Sequence, residues 1–161
     1  MILDNKNEVK KLANVKDLIG VQYEPYTIEV EKGKVREFAE AIGEDNPIYY
    51  DLEAAKKEGF AGIPITLTFL TSVDFWGGPS FEDKVKKLQI NPVKVLHGEQ
   101  EYEYIGDIYA GDVLTAESKV VDVVVKKGSA GGMNLITTEN QYTNQSGELV
   151  AKSKGVTIEQ H

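Results

Sequence analysis

Helical periodicity comes first along this chain and strand periodicity follows. Tyr26, Ile28 and Val30 alternate with polar residues, which predicts a short strand. Val35, Phe38, Ala39 and Ile42 then recur at helical spacing and define one apolar stripe on a short helix. Gly43 ends that helix, and Glu44-Asp45-Asn46-Pro47 forms a polar turn that cannot continue it. Asp51 is placed to cap a helix over Leu52–Glu58, with Gly59 as its stop. The segment Ile63–Val73 is apolar nearly all round. It predicts a buried central helix, with Phe69 fully enclosed. Gly77-Gly78-Pro79 breaks it, and Phe81–Leu88 reads as a short surface helix or loop.

From Val93 onward the period changes to two. Strands are predicted near Val95–Tyr104, Val113–Lys126, Met133–Thr143 and Leu149–Glu159, separated by turns at Gly106–Gly111, Gly128–Gly132 and Asn144–Glu148. Consecutive strands joined this way are expected to pair antiparallel. A buried helix followed by such strands predicts an α+β fold of hot-dog type, one antiparallel sheet wrapped around one helix. The 161 residues form one domain, 1–161, with 1–19 as a lead segment.

Composition narrows the function. There is no cysteine, hence no disulfide, thiolate metal site or cysteine nucleophile, which fits a cytoplasmic protein. Met1–Asn14 holds no apolar run suited to a signal peptide or a membrane span. The formal charge of −8 opposes nucleic acid, and Arg36 is the only arginine, so bidentate phosphate clamps are not available. Lys126 and Lys127 precede a glycine turn and read as solvated. The acidic surface would not attract an acidic carrier protein at long range.

The run Phe38-Ala39-Glu40-Ala41-Ile42-Gly43-Glu44-Asp45-Asn46-Pro47-Ile48-Tyr49 resembles the hydratase signature of the MaoC-like hot-dog dehydratases. The spacer through Ala54, Ala55, Gly59, Phe60 and Gly62, then Leu67-Thr68-Phe69, is similar to the N-terminal dehydratase domains of that family. So are Leu96-His97-Gly98-Glu99-Gln100-Glu101-Tyr102, Ala110-Gly111-Asp112-Val113-Leu114 and the hairpin Asn140–Leu149. The likeness runs from about Gly20 to Ile158. It implies (R)-3-hydroxyacyl or trans-2-enoyl thioesters of coenzyme A or acyl carrier protein as substrates, with water removed or added and no cofactor. In that chemistry an Asp and a His hold the water, and one of them moves the α-proton. A backbone N–H at the start of the central helix stabilises the enolate oxygen.

Anchored on Asn46-Pro47, the sequence departs from the family at the reacting groups. Glu44 stands at the aspartate, Tyr49 at the histidine, and Thr66 where active single-chain enzymes have glycine. A phenol with a pKa near 10 is a poor base at neutral pH. The resemblance therefore implies a HadA-like subunit that shapes the acyl channel while a second hot-dog chain supplies Asp and His. The alternatives are a stand-alone homodimeric hydratase or thioesterase with an unorthodox site, and a non-catalytic thioester-binding protein.

Candidate catalytic residues are Glu44, Asp45, Tyr49 and His97; candidate substrate-binding residues are Asn46, Thr66, Leu67 and Thr68. The bland reading of Asp45, Asn46 and Tyr49 is a self-bonded turn over a packed aromatic ring. Strand parity puts His97 on one face with Glu99, Glu101 and Glu103, opposite Leu96, Gln100 and Tyr102, which predicts a solvated or subunit-facing imidazole. An exposed sheet edge predicts dimerisation, as a homodimer when the chain is made alone or with the catalytic partner.

Overall fold

A computed structural model describes residues 14–128 and 131–161. The first part of the lead segment and the tip of the predicted Gly128–Gly132 turn lie outside the described residues. One five-stranded antiparallel sheet has the order β1-β3-β4-β5-β2. Its strands are β1 (Tyr26–Glu29), β2 (Val95–Tyr104), β3 (Val113–Gly128), β4 (Gly131–Thr143) and β5 (Leu149–Gln160). Four short helices accompany it: α1 (Lys32–Ala41), α2 (Leu52–Lys57), α3 (Leu70–Trp76) and α4 (Phe81–Leu88). This is the α+β hot-dog arrangement expected from the pattern. Among the described residues no helix is long and apolar enough to cross a membrane.

Local signals place most of these elements. Asp51 accepts from the Ala54 N–H at the start of α2, and Gly43 and Gly59 take the positive φ that ends α1 and α2. Val35 and Ala39 are fully buried and Phe38 packs against them, but Ile42, at the frayed end of α1, is half exposed. Ser80 caps α4, which is a helix rather than a loop.

Two expectations fail. The first is pairing: β3–β4 and β4–β5 are consecutive neighbours, but β2 pairs with β5 and β3 with β1. The link between β2 and β3 is not a hairpin. Its Ile108 carbonyl accepts from Ile65 N–H and its Ala110 N–H donates to the Ile63 carbonyl, carrying the chain across to the far edge. The second is the central helix, which covers Leu70–Trp76 and not Ile63–Val73. The same backbone bonds hold Ile63–Ile65 in an isolated bridge to Tyr109, so the apolar run divides into a bridged segment, a turn and the first residues of the helix. Phe69 is 1% exposed as expected, but sits in the turn just before α3.

The short helix has a geometric consequence. Seven residues of α3 span about 10 Å, whereas the sixteen of β3 run for about 53 Å. The helix can cover only one end of the sheet. One buried cluster therefore gathers around Phe69, Leu70 and Val73 with Leu114, Tyr142 and Ala151. A second gathers Leu18, Leu88 and Ile90 over Val120, Val123 and Ile136. The space between the two remains open.

Candidate functional site

That space is a cavity of about 670 Å³. Tyr26, Thr68, Thr71, Asp74 and Tyr102 line it from the α3 end, Tyr23, Leu88, Ile90 and Val95 from the other. Gln100, Thr138, Asn140 and Thr157 rise from the sheet between them. Apolar side chains make up most of its surface, and a group of hydrogen-bonded polar side chains lies at its α3 end.

Asp74 anchors that polar group. Its Oδ1 accepts from Tyr26 OH at 2.6 Å and Tyr142 OH at 2.7 Å, and its Oδ2 accepts from Asn140 Nδ2 at 3.0 Å. Ser153 Oγ completes the cluster beside Tyr142 OH at 3.0 Å. Burial pushes the Asp74 carboxyl above its ordinary range, against the hydrogen bonds that favour the anion. Burial first, and then the charge of Asp74, pushes the Tyr26 and Tyr142 phenols well up, so both remain donors. The sequence builds this locally: a Cβ on Gly77 would stand 2.5 Å from the Tyr26 ring, so glycine there lets the ring lie against the end of α3. Beside the cluster, Thr71 and Tyr102 share a short hydroxyl–hydroxyl contact.

The predicted residues divide between two places. Thr68 and His97 line the cavity; Glu44, Asp45, Asn46 and Tyr49 do not. His97 reaches it because the strand does not keep its parity. The register of β2 against β5 shifts between His97 and Glu99, and this bulge at Gly98 turns His97 to the side of Gln100 and Tyr102. A Cβ on Gly98 would meet Ile158 Cδ1 at 2.9 Å, so the bulge is built on a residue without a side chain.

The motif turn is bonded to itself. Asn46 Oδ1 accepts from Ile48 N–H at 3.2 Å and caps a single 3-10 turn, Pro47–Tyr49. Glu44 Oε1 accepts from Asn46 N–H at 3.0 Å, the Glu44 carbonyl accepts from Tyr50 OH, and Asp45 is exposed. Burial and then the Glu44 charge raise the Tyr49 phenol pKa, away from the range of a base.

Thr66 is turned into the protein, 3% exposed, with its hydroxyl unpaired among the described residues, and Leu67 is 70% exposed. Part of the donor set near the start of the central helix is already in use. Phe69 N–H bonds the Thr66 carbonyl, Thr71 N–H that of Thr68, and Ser72 N–H that of Phe69. Arg36 is engaged with Glu40 at 3.0 Å.

Sequence reasoning missed Asp74 and its partners Tyr26, Asn140, Tyr142 and Ser153. One signal was present: a lone acid between Val73 and Phe75-Trp76, immediately after an apolar run. The partners come from three strands, and no local pattern links them.

The sequence profile of the FAS1-like dehydratase domain region matches residues 17–153. A UPF0336 protein of Thermobifida fusca is 33% identical over 140 residues, covering 86% of this chain and 88% of its own. The structure is similar to that of a C-terminally truncated HadBC (3R-hydroxyacyl-ACP dehydratase) complex from Mycobacterium tuberculosis. The TM-score is 0.73 at 25% identity, over 90% of this chain and 99% of that one. The ChsH1–ChsH2 complex of the same organism shares the fold, with a TM-score of 0.72 at 20% identity over 90% and 86% of the two chains.

Proposed function

The chain belongs to the FAS1-like dehydratase region family, and from that premise we propose that it is the acyl-chain-binding subunit of an (R)-specific 3-hydroxyacyl-thioester dehydratase. Its partner would be a second hot-dog chain that carries the catalytic Asp and His. One observation carries the reading: a 670 Å³ cavity lies under a central helix too short to fill the sheet. That volume is in the range of about 300–1,000 Å³ usual for small-molecule sites.

The chemistry of the motif turn points the same way. Removing water from a 3-hydroxyacyl thioester needs a group that exchanges a proton near neutral pH, and Tyr49 is shifted away from that task. In this reading the chain holds the acyl tail between α3, α4 and the sheet, and presents the thioester end to the partner's dyad. Two similar folds named above are themselves complexes, HadBC and ChsH1–ChsH2.

A second reading rests on His97, which the Gly98 bulge aims at the cavity. There it could serve as the base of a stand-alone hydratase. Steady-state hydration of a short trans-2-enoyl coenzyme A separates the two. The lone chain should show little turnover, and activity should appear when a hot-dog chain with intact Asp and His is coexpressed. Robust turnover by the lone chain, lost in His97→Ala or Tyr49→Phe, would overturn the subunit reading.

A further inference from the structure

Asn140, Tyr142 and Ser153 form a neutral hydrogen-bonding set among themselves, and Asp74 ties that set and Tyr26 to α3. Yet the cluster is centred on a carboxylate, and taking a carboxylate out of water is costly unless its acceptor sites are filled. An ionised carboxylate offers about four acceptor positions. Three are taken, two on Oδ1 by Tyr26 and Tyr142 and one on Oδ2 by Asn140. Asp74 is half-buried rather than enclosed, and it lines the cavity. The position left on Oδ2 is thus available to a ligand in an otherwise mostly apolar chamber.

We propose that Asp74 selects acyl chains that carry a hydroxyl group along their tail, accepting the hydroxyl proton at Oδ2. The proposal rests on the cavity being the acyl-chain site. The charges nearby choose among polar groups. Lys84 of α4 lines the same cavity and lies close enough for its charge to favour the Asp74 anion, so an ammonium on the ligand would meet a like charge. A carboxylate on the ligand would meet Asp74. A hydroxyl is neutral, donates to the carboxylate and can accept from a lysine or an amide, so it suits both neighbours. An unsubstituted chain would leave the carboxylate desolvated and one acceptor short, which is how a polar site rejects an apolar analogue.

The test is calorimetric titration of the full chain with dodecanoyl-pantetheine and with a set of analogues hydroxylated at successive carbons from mid-chain to the ω end. At least one hydroxylated analogue should bind about tenfold tighter than the unsubstituted thioester. The preference should vanish in Asp74→Asn. It should survive in Ser153→Ala, which disturbs the same hydrogen-bonded cluster from a residue outside the cavity lining. If Asp74→Asn does not fold, the wild-type series still decides. An unsubstituted chain that binds as tightly as every hydroxylated one overturns the hydroxyl preference and leaves the acyl-binding reading standing. Failure of all the thioesters to bind overturns both.

Discussion

Truncating Phe69 to alanine tests whether the turn before α3 is the keystone of the core. The ring is 1% exposed and meets Phe38 edge-on at 5.5 Å and Trp76 edge-on at 6.3 Å. Phe→Ala changes in cores cost about 3–5 kcal/mol. Each edge-on aromatic contact is worth about 0.5–1.5 kcal/mol beyond area burial, which puts this site at the upper end, about 4–5 kcal/mol. A domain of this size has about 5–15 kcal/mol in all, so the variant should lose about a quarter or more of its stability. Urea unfolding followed by tyrosine and tryptophan fluorescence gives the difference from the midpoints, provided the slope is unchanged. In a thermal scan the shift should be about 8–20 °C. A loss below about 1.5 kcal/mol with an unchanged slope would mean that the ring is not enclosed as described and that the two-cluster core is wrong.

Three further outcomes follow from named contacts. Gly77→Ala should cost about 1–3 kcal/mol in the same assay, since its Cβ would stand 2.5 Å from the Tyr26 ring; Gly33→Ala, in open space on α1, should gain about 0.5–1 kcal/mol. Burial raises the Asp74 pKa above 3.8, so the native state binds that proton more tightly than the unfolded chain. This contribution to stability is full below pH 3.8 and is lost as pH rises through the folded value; in pH-dependent denaturation the wild-type-minus-Asp74→Asn difference should fall with that sign, and a flat difference would refute it. Edge strand β2 presents Glu99, Glu101 and Glu103 along one face. Light scattering of the lone chain at micromolar concentration should show a homodimer that tightens with added salt, as expected if two-fold pairing sets like charges opposite one another; a monodisperse monomer at all salt concentrations would count against it.

Most of what depends on a local period or a local cap was legible in the sequence. Strand positions, the caps at Asp51 and the stops at Gly43 and Gly59 each involve residues within a few positions of one another, and so did the likeness of the Asn46-Pro47 turn to a hydratase signature. What escaped depends on distant partners. Ile63–Ile65 are as apolar as any helix segment and became extended only because Ile108 and Ala110 offered backbone bonds. The parity of β2 was reversed at Gly98 by an extra residue that no alternation rule shows in advance. Asp74 gained its partners when three strands brought Tyr26, Asn140, Tyr142 and Ser153 around it at the end of a cavity that the short α3 leaves open. The sequence determined most of the elements and the family likeness. Tertiary packing decided where the cavity lies, because a void is set by what its surrounding elements fail to fill.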